Sequence, residues 1–338
     1  MGFNPYLASF AFFGIITNIL ANQAIFYMLE VSIVIPVFNE EESLKELNEN
    51  ITNSFKSFKK SYEIVFIDDG SSDSSLEILQ RLEKAYSNVR VFSFRKQMGK
   101  SPALTLGFQK ANGEYIITMD ADLQDDPKNI NPLFAKLTRH NLDMVTGWRK
   151  NRQDSALKIF SSKLFNSIVS YLFKIKIHDL NSGLKIYSSD LAKSLNLYGG
   201  MHRFIPVIAH DMGFRVGEKE ISHHARKYGK SKYKFSKILT DIPDLVTIYF
   251  LTKYTRRPLH FFGKFGGILF SLGSIVLLYL VYLRIMGEKI GDRPLLLLGI
   301  LLVITGMQTI FTGLIADLIV NLSGKKMQEP PLRYETSH

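Results

Sequence analysis

An acidic stretch in the middle of the chain, Met119–Pro127, offers the most specific chemistry. Asp120 and Asp122 stand two residues apart directly after an apolar run, Tyr115–Thr118, that predicts a buried β-strand. Two carboxylates that leave the end of one strand can bind a divalent cation through oxygen atoms, and that cation can hold a diphosphate. The same residues also suit a solvated acidic turn before a helix that begins near Pro127. The pattern alone leaves both interpretations open.

The surrounding chain predicts the scaffold that positions these carboxylates. Short apolar runs alternate with longer amphipathic ones, which is typical of an α/β fold with a mostly parallel sheet and helices on both faces. Ligands bind such sheets at the carboxyl ends of the strands. The predicted strands are Val31–Pro36, Glu63–Ile67, Val89–Phe94, Tyr115–Met119 and Asp143–Thr146. The predicted helices are Glu41–Phe58, Ser74–Tyr86, Pro102–Ala111 and Pro127–Arg139.

Polar segments also follow the first three predicted strands, at Pro36–Glu41, Asp68–Asp73 and Arg95–Lys100. A metal-held diphosphate at this edge of the sheet suggests a nucleotide ligand. Glu40 and Asp69 are then placed to accept hydrogen bonds from a ribose or a base. The segment that contains Asp69 would serve equally as a helix-capping turn.

Cationic residues lie in loops farther along the chain. Arg149 follows the fifth predicted strand, Arg203 lies downstream, and Arg226–Tyr233 is rich in lysine. Each of these cations can neutralise a leaving diphosphate. The alternative for each is a solvated surface cation, which is the commoner case.

The composition restricts the class of partner. The formal net charge of +11 over 338 residues suits nucleic acid, an anionic membrane surface or a phosphorylated substrate. The basic residues gather near apolar and amphipathic segments, so we expect a lipid bilayer as partner and no nucleic acid. The chain has no cysteine, which excludes a disulfide framework and a thiolate metal site.

Two uncharged apolar stretches, residues 265–283 and 295–316, predict membrane-spanning helices. Each is close to the roughly 20 residues that a helix needs to cross a bilayer. The connection between them is too short for a domain, so they form a hairpin. Basic residues gather at both outer flanks, and the positive-inside rule therefore places the flanks and the preceding domain in the cytoplasm. A buried pair of helices in a soluble protein is the alternative.

The first 29 residues carry no charge, and three interpretations stay open for them: an upstream extension, an interfacial helix and a further span. Residues 157–176 predict a basic amphipathic helix, either a core helix or one that faces the lipid. The predicted organisation is an N-terminal extension or interfacial segment at 1–29, a cytoplasmic α/β domain at 30–233, a juxtamembrane amphipathic segment at 234–262, a transmembrane hairpin at 263–322 and a cytoplasmic tail at 323–338.

Five motifs follow one another along the chain: Pro36–Glu41, Asp68–Asp73, Asp120–Gln124, Asp179–Gly183 and Arg226-x-x-Gly229-x-Ser231-Lys232. In this order they resemble glycosyltransferase family 2, whose members have a GT-A fold. Within that family they resemble the polyisoprenyl-phosphate glycosyltransferases, the group of dolichyl-phosphate mannosyltransferase and bactoprenol glucosyltransferase. The resemblance extends over about residues 30–320 and includes the two carboxy-terminal spans of the bactoprenol type.

The resemblance implies roles for individual residues. The donor would be bound by Pro36, Phe38, Glu40, Asp69, Asp120, Ala121, Arg226 and Lys232. Either Mg²⁺ or Mn²⁺ would be held by Asp120, Asp122 and Gln124. The catalytic set would be Asp122, Arg149, Asp179 and Lys158, with Arg149 on the leaving phosphates. The acceptor would be bound by Lys158, Ser162, Lys163 and Arg203, with Lys158 in place of the arginine expected there.

The implied reaction moves a sugar, with UDP-glucose as the favoured donor, onto a polyprenyl phosphate such as undecaprenyl phosphate at the cytoplasmic face of the plasma or inner membrane. A phosphate monoester has a second pKa of about 6, so the acceptor oxygen is already a dianionic nucleophile and needs little help from a general base. In-line attack inverts the anomeric configuration. Asp179 would orient a sugar hydroxyl or a cation on the acceptor side.

Several alternatives remain from the sequence. The donor can instead be GDP-mannose or UDP-GlcNAc. A processive polysaccharide synthase would carry a Gln-x-x-Arg-Trp motif, whereas Trp148, the single tryptophan, follows Gly147. A non-catalytic membrane adaptor would be expected to have lost a metal carboxylate, yet Asp120 and Asp122 are both present. The oligomeric state stays open, a homo-oligomer included.

Overall fold

The computed structural model describes most of the chain and divides it into two compact units, Met1–Phe235 and Ser236–His338. The described residues are 29–150, 156–224, 227–228, 237–254, 257–291 and 293–323; the side chains of 156–164, 237–242, 321 and 323 are not described. Residues 1–28, most of the motif that begins at Arg226, and the predicted tail lie outside the described residues.

A seven-stranded sheet forms the centre of the first unit, with the strand order β3-β2-β1-β4-β6-β5-β7. Strands β1, β2, β3 and β4 pair in parallel, and so do β5 and β7. The strands are β1 (Val31–Val37), β2 (Tyr62–Asp68), β3 (Val89–Ser93), β4 (Tyr115–Thr118), β5 (Met144–Trp148), β6 (Lys185–Ser188) and β7 (Val216–Glu220). The prediction of a mostly parallel α/β sheet is confirmed.

One strand of this sheet runs against its neighbours. β6 is antiparallel to both β4 and β5, with Thr118 opposite Lys185 and Thr146 also opposite Lys185. The sequence predicts no strand here, because four residues with a lysine at the first position give no clear apolar period. The reversal places the start of β6 at the same edge as the carboxyl ends of β4 and β5. The segment before β6 therefore lies at the edge of the sheet where such folds bind ligands.

The helices cover both faces of the sheet, as predicted. Alternate residues of β1 point to opposite sides, so Ile33 and Ile35 join one buried cluster while Val34 joins the other. The helices of the first unit are α1 (Leu44–Phe58), α2 (Ser75–Ala85), α3 (Lys100–Lys110), α4 (Ile130–Arg139), α5 (Ala156–Phe173), α6 (Ser189–Ser194) and α7 (Ile205–Asp211).

The helix α1 illustrates why these segments fold as they do. Leu44, Leu47, Ile51 and Phe55 recur at intervals of three and four residues and are all buried against the sheet. This spacing brings them onto one helix face, and burying that face rather than intrinsic propensity stabilises the helix. Lys59 follows in the left-handed conformation at φ 55° and ends the helix.

The described residues of the second unit form three helices, α8 (Lys237–Tyr254), α9 (Pro258–Ile285) and α10 (Pro294–Ser323). Within the described residues, two helices, Pro258–Ile285 and Pro294–Val320, are long and apolar enough to cross a membrane by length and composition. Their largest apolar side chains are exposed along most of their length. They match the predicted hairpin.

Glycines set the contact between α9 and α10. A Cβ atom on Gly266 would lie 2.7 Å from the carbonyl oxygen of Gly306, and one on Gly273 would lie 2.9 Å from that of Gly299. Such distances leave no room for a side chain, so the two backbones touch directly, as is common where helices pack inside membranes.

Candidate active site

The acidic turn follows β4 at the ligand-binding edge of the sheet. Asp122 is 8% exposed, and its Oδ1 accepts a hydrogen bond from the backbone N–H of Gln124 at 3.2 Å. Leu123 between them adopts φ 59°, a left-handed conformation that reverses the chain. Ala121 is buried beneath the turn. The turn therefore holds the Asp122 carboxylate against the backbone of Gln124.

Asp120 does not stand free in this turn. Its carboxylate forms an ion pair with Lys100, the first residue of α3. Burial opposes the charged form, but the charge of Lys100 and its hydrogen bond outweigh this, with help from Lys185 and Arg149, and lower the pKa of Asp120. Asp120 is thus an anion surrounded by cations.

A third carboxylate, Asp125, lies beside Asp120 and was not selected from the sequence. A Cβ atom on Gly183 would lie 2.6 Å from Asp120 Cγ and 2.9 Å from Asp125 Oδ2, so both carboxylates press against one glycine. Asp125 is 4% exposed, and its Oδ1 has no hydrogen-bond partner among the described residues. In the sequence, the one indication of this placement is that Asp125 follows Asp120 by five residues.

Arg149 and Asp179 form a two-pronged ion pair at the end of β5. Arg149 Nε and Nη2 donate to the two carboxylate oxygens of Asp179 at 2.7 and 2.9 Å, and both side chains are almost buried. Burial favours the neutral form of arginine, but the hydrogen bonds and charge of Asp179, with Asp125 and Asp120, outweigh it and raise the pKa of Arg149 above its usual value. The guanidinium is fixed and faces the acidic turn.

A lysine that the sequence analysis missed completes this charge cluster. Lys185, at the start of β6, is 4% exposed and donates to the carbonyl oxygen of Ser182. It lines a small pocket at the acidic turn together with Lys100, Asp120 and His202. Burial, followed by the charge of Lys100, lowers the pKa of Lys185 to about 7, although Asp120 and Asp179 oppose the shift. In the sequence, the indication of this lysine was the motif Asp179–Gly183 just before it.

Replacing Lys185 with methionine should change how stability depends on pH. Because burial lowers its pKa to about 7, the folded protein binds fewer protons than the unfolded chain between that pH and the ordinary lysine pKa. The cost of burying the charged lysine, which lowers the free energy of unfolding, is therefore largest below about pH 7 and decreases as the pH rises. The melting temperature of the wild type should rise relative to that of Lys185→Met between pH 7 and about 9.5. Parallel pH profiles of the two proteins would contradict this.

The loops after β1, β2 and β3 pack together at the other end of the same edge. Asp69 Oδ1 accepts hydrogen bonds from the backbone N–H groups of Met98 at 2.7 Å and Gly99 at 3.0 Å. A Cβ atom on Gly70, at φ +68°, would lie 2.6 Å from the backbone of Lys96. Asp69 thus ties the loop after β2 to the loop after β3. Pro36, Phe38 and Glu40 are half-buried beside it, at the end of β1.

The remaining predicted residues are only partly described. Lys158, Ser162 and Lys163 lie on α5, but their side chains are outside the described part of the chain. Arg203 is half-buried in the turn before α7. Arg226 and Lys232 lie outside the described residues. The structure therefore places Arg149 against Asp179 and near Asp120, while the metal, donor and acceptor assignments stay predictions.

Comparison with known proteins assigns the chain to a family. Residues 32–195 match the family described as Glycosyl transferase family 2. Dodecaprenyl-phosphate galacturonate synthase of Rhizobium johnstonii is 38% identical over 296 residues, which cover 86% of this chain and 88% of that protein. The chain belongs to glycosyltransferase family 2. It resembles undecaprenyl-phosphate 4-deoxy-4-formamido-L-arabinose transferase of Proteus mirabilis at 33% identity over 293 residues, with 86% and 88% coverage.

The fold agrees with this family assignment. The crystal structure of mannosyl-3-phosphoglycerate synthase from Rubrobacter xylanophilus matches with a TM-score of 0.52 at 15% identity, covering 65% of this chain and 72% of that one. At this identity the likeness concerns the fold alone. The family 2 enzyme has a GT-A fold followed by two apolar helices.

The acidic turn of this glycosyltransferase fits a hard divalent cation only in part. Among the described residues, no group of three or more His, Asp or Glu side chains is placed to hold a metal ion. Asp120, Asp122 and Gln124 offer oxygen donors, which suit Mg²⁺ or Mn²⁺. Mg²⁺ usually completes its coordination with substrate phosphates and water, so two carboxylates and an amide fit an ion that arrives with a diphosphate.

Proposed function

We propose that this protein transfers a sugar from a nucleoside-diphosphate donor to the phosphate of a polyprenyl lipid, with inversion at the anomeric carbon. The observation that carries the proposal is that the guanidinium of Arg149, which Asp179 holds, lies near Asp120 of the acidic turn at one edge of the sheet. The turn offers ligands to a metal ion, and the guanidinium offers charge to a departing diphosphate.

The acceptor is proposed from the relatives. One is named for a product on dodecaprenyl phosphate and the other for transfer to undecaprenyl phosphate. A phosphate monoester is largely dianionic at neutral pH, so its oxygen can attack without a strong base in the protein. Lys158, Ser162 and Lys163 of α5, with Arg203, are the proposed acceptor ligands. These residues would orient the acceptor phosphate rather than remove a proton from it.

The donor is proposed as a class, the nucleoside-diphosphate sugars. The two-span layout favours UDP-glucose, whereas the relatives are named for galacturonate and 4-deoxy-4-formamido-L-arabinose. Pro36, Phe38, Glu40 and Asp69 would hold the nucleoside. A bound Mg²⁺ or Mn²⁺ would neutralise charge on the leaving diphosphate. Arg149 would hold the phosphate oxygens, and Asp179 would orient the guanidinium throughout.

The test is a panel of radiolabelled nucleotide sugars incubated with undecaprenyl phosphate and membranes that contain the protein. UDP-glucose, UDP-galacturonate, UDP-GlcNAc and GDP-mannose are compared, and label is followed into the organic phase. We expect one donor to label the lipid in the presence of the wild type and none to do so with Asp122→Asn. Equal labelling by wild type and variant would contradict the proposal.

We place the two apolar helices across the plasma or inner membrane, with the GT-A domain in the cytoplasm. Tags in the connection between α9 and α10, at residues 286–293, should then report the far side of the membrane. Tags after Lys326 should report the cytoplasm. The measurement is labelling of the tags in intact and in opened cells. Both tags on one side would contradict the hairpin.

A further inference from the structure

The small pocket at the acidic turn adjoins the place proposed for the donor diphosphate. Asp120 itself lines this pocket, together with Lys185 at the start of β6 and His202 in the turn before α7. In a nucleotide sugar, the sugar is joined to the outer phosphate through a single oxygen atom. A diphosphate held at Asp120 therefore brings its sugar to the pocket that the same carboxylate lines.

Several polar groups around the pocket are already paired with one another. Lys100 forms its ion pair with Asp120. Thr118 Oγ1 donates to the carbonyl oxygen of Gly183 at 2.9 Å and lies 3.3 Å from Tyr187 Oη. These groups form polar walls that are held in place by their own hydrogen bonds.

Lys185, by contrast, keeps hydrogen-bond donors for a ligand. An ammonium group has three N–H donors. Among the described residues, the one hydrogen-bond partner of Lys185 is the carbonyl oxygen of Ser182. The lysine is 4% exposed, so solvent reaches its remaining donors poorly, and a buried donor without a partner costs free energy. A ligand oxygen in the pocket would remove this cost.

His202 keeps a hydrogen-bond acceptor. Ser101 Oγ lies 2.9 Å from His202 Nδ1, and it donates to the carbonyl oxygen of Gly199 at 2.8 Å. A hydroxyl has one proton, which Gly199 takes, so Nδ1 carries the ring proton and donates to Ser101. Burial, followed by the charges of Lys100 and Arg203, lowers the pKa of His202 well below its usual value, so the ring is neutral. Its Nε2 is then an acceptor, and it has no hydrogen-bond partner among the described residues.

We propose that this pocket binds the transferred sugar and that Lys185 and His202 recognise its hydroxyl groups. Lys185 donates to the oxygen of one hydroxyl, and His202 Nε2 accepts the proton of another. A hydroxyl suits both positions, because it donates and accepts. A site built in this way rejects a sugar that lacks the hydroxyl, since a buried polar group is then left without a partner. The inference rests on the proposed function, in which the acidic turn holds the donor diphosphate.

The test is equilibrium binding of nucleotides to the purified full-length protein in detergent, with Mn²⁺ and without a lipid acceptor. UDP-glucose, UDP-galacturonate and UDP-GlcNAc are compared with UDP, and GDP-mannose is compared with GDP. Lys185→Met removes the donors and keeps the length of the side chain. We expect it to weaken binding of the nucleotide sugar that labels the lipid by about 10- to 100-fold. Binding of the nucleoside diphosphate alone should change by less than about twofold.

His202→Asn tests the acceptor separately. The amide nitrogen of asparagine can take the place of Nδ1 toward Ser101, whereas nothing replaces Nε2. Binding of the same nucleotide sugar should weaken by about 3- to 10-fold, and binding of the nucleoside diphosphate should stay within about twofold. His202→Gln, whose longer side chain brings an amide oxygen to the position of Nε2, should recover most of the loss.

Matched controls lie on the neighbouring helices. Lys193 on α6 and His210 on α7 are both exposed. Lys193→Met and His210→Asn remove the same groups from the surface, so they should change binding of every probe by less than about twofold. Melting temperatures are measured for each variant. If Lys185→Met does not fold, Lys185→Leu replaces it, and His202→Asn makes the same comparison independently.

Two results would overturn the inference. Equal weakening of the nucleotide sugar and of its nucleoside diphosphate would place Lys185 or His202 on the phosphates or the nucleoside. No weakening of either ligand would leave both residues without a part in donor binding. A wild type that binds neither UDP nor GDP with Mn²⁺ and labels no lipid would instead refute the proposed function, so the two failures are distinguishable.

Discussion

Asp122→Asn should abolish sugar transfer and leave the protein folded. The substitution keeps the size of the side chain and removes the charge that we assign to the metal. The loss of several kcal/mol of charge stabilisation corresponds to a fall of about 10³-fold or more in kcat. The side chain bonds the N–H of Gln124 through an oxygen that asparagine retains, so the turn should keep its shape. Transfer is measured as label entering the lipid phase at saturating Mg²⁺ or Mn²⁺.

The control for this variant lies four residues along the same turn. Asp126 accepts a hydrogen bond from the N–H of Lys128 at 2.9 Å and caps the following turn. Asp126→Asn should therefore cost some stability, about 1 kcal/mol at most, and leave the reaction unchanged. Near-normal turnover by Asp122→Asn would refute the metal assignment.

Arg149→Ala should lower kcat and kcat/KM together by about 10² or more, because its interaction with the diphosphate strengthens as the glycosidic bond breaks. Arg149→Lys should recover only part of this, since an ammonium keeps the charge but loses the planar fork. The same fork forms the two hydrogen bonds to Asp179. The lysine variant therefore loses both the hydrogen bonds to Asp179 that orient the side chain and the two-point contact with the diphosphate.

The buried pair makes a stability control necessary for this prediction. Removing one partner of a buried ion pair leaves an uncompensated charge and typically costs about 3–5 kcal/mol. The double variant Arg149→Ala, Asp179→Ala leaves no such charge, so it should melt higher than either single variant while staying inactive. Lys325→Ala and Lys326→Ala, at the predicted flank of the hairpin, should leave kcat nearly unchanged. Small and equal effects at Arg149 and at these lysines would place the diphosphate ligand elsewhere.

The sequence predicted those parts of the structure that local patterns determine. The first five strands and the helices between them follow from apolar periodicity, and their observed bounds differ from the predicted ones by only a few residues. The acidic turn was recognisable because Asp120 and Asp122 follow a strand directly, and parallel strands bring their ends to one edge.

The parts that the sequence did not predict depend on contacts between distant residues. Lys185 is separated by 85 residues from Lys100 along the chain, and nothing local indicates that antiparallel β6 inserts next to β4 and brings the two together. Asp125 and His223 likewise become partners only through the fold. The pairing of Arg149 with Asp179 was not predicted either, although each residue had been selected separately.

The reversed direction of β6 restricts how the length of this chain can vary among related proteins. Lys185 and Tyr187 share one face of β6 because side chains alternate along a strand. An insertion of a single residue in Asp179–Leu184 that shifted the pairing by one position would turn both side chains to the opposite face. Lys185 would then point away from the pocket at Asp120. Tyr187 would lose its edge-to-face contact with Phe108, in which the ring centroids are 5.4 Å apart. Changes of specificity at this site should therefore accumulate as substitutions, while insertions and deletions are confined to loops on the far side of the sheet.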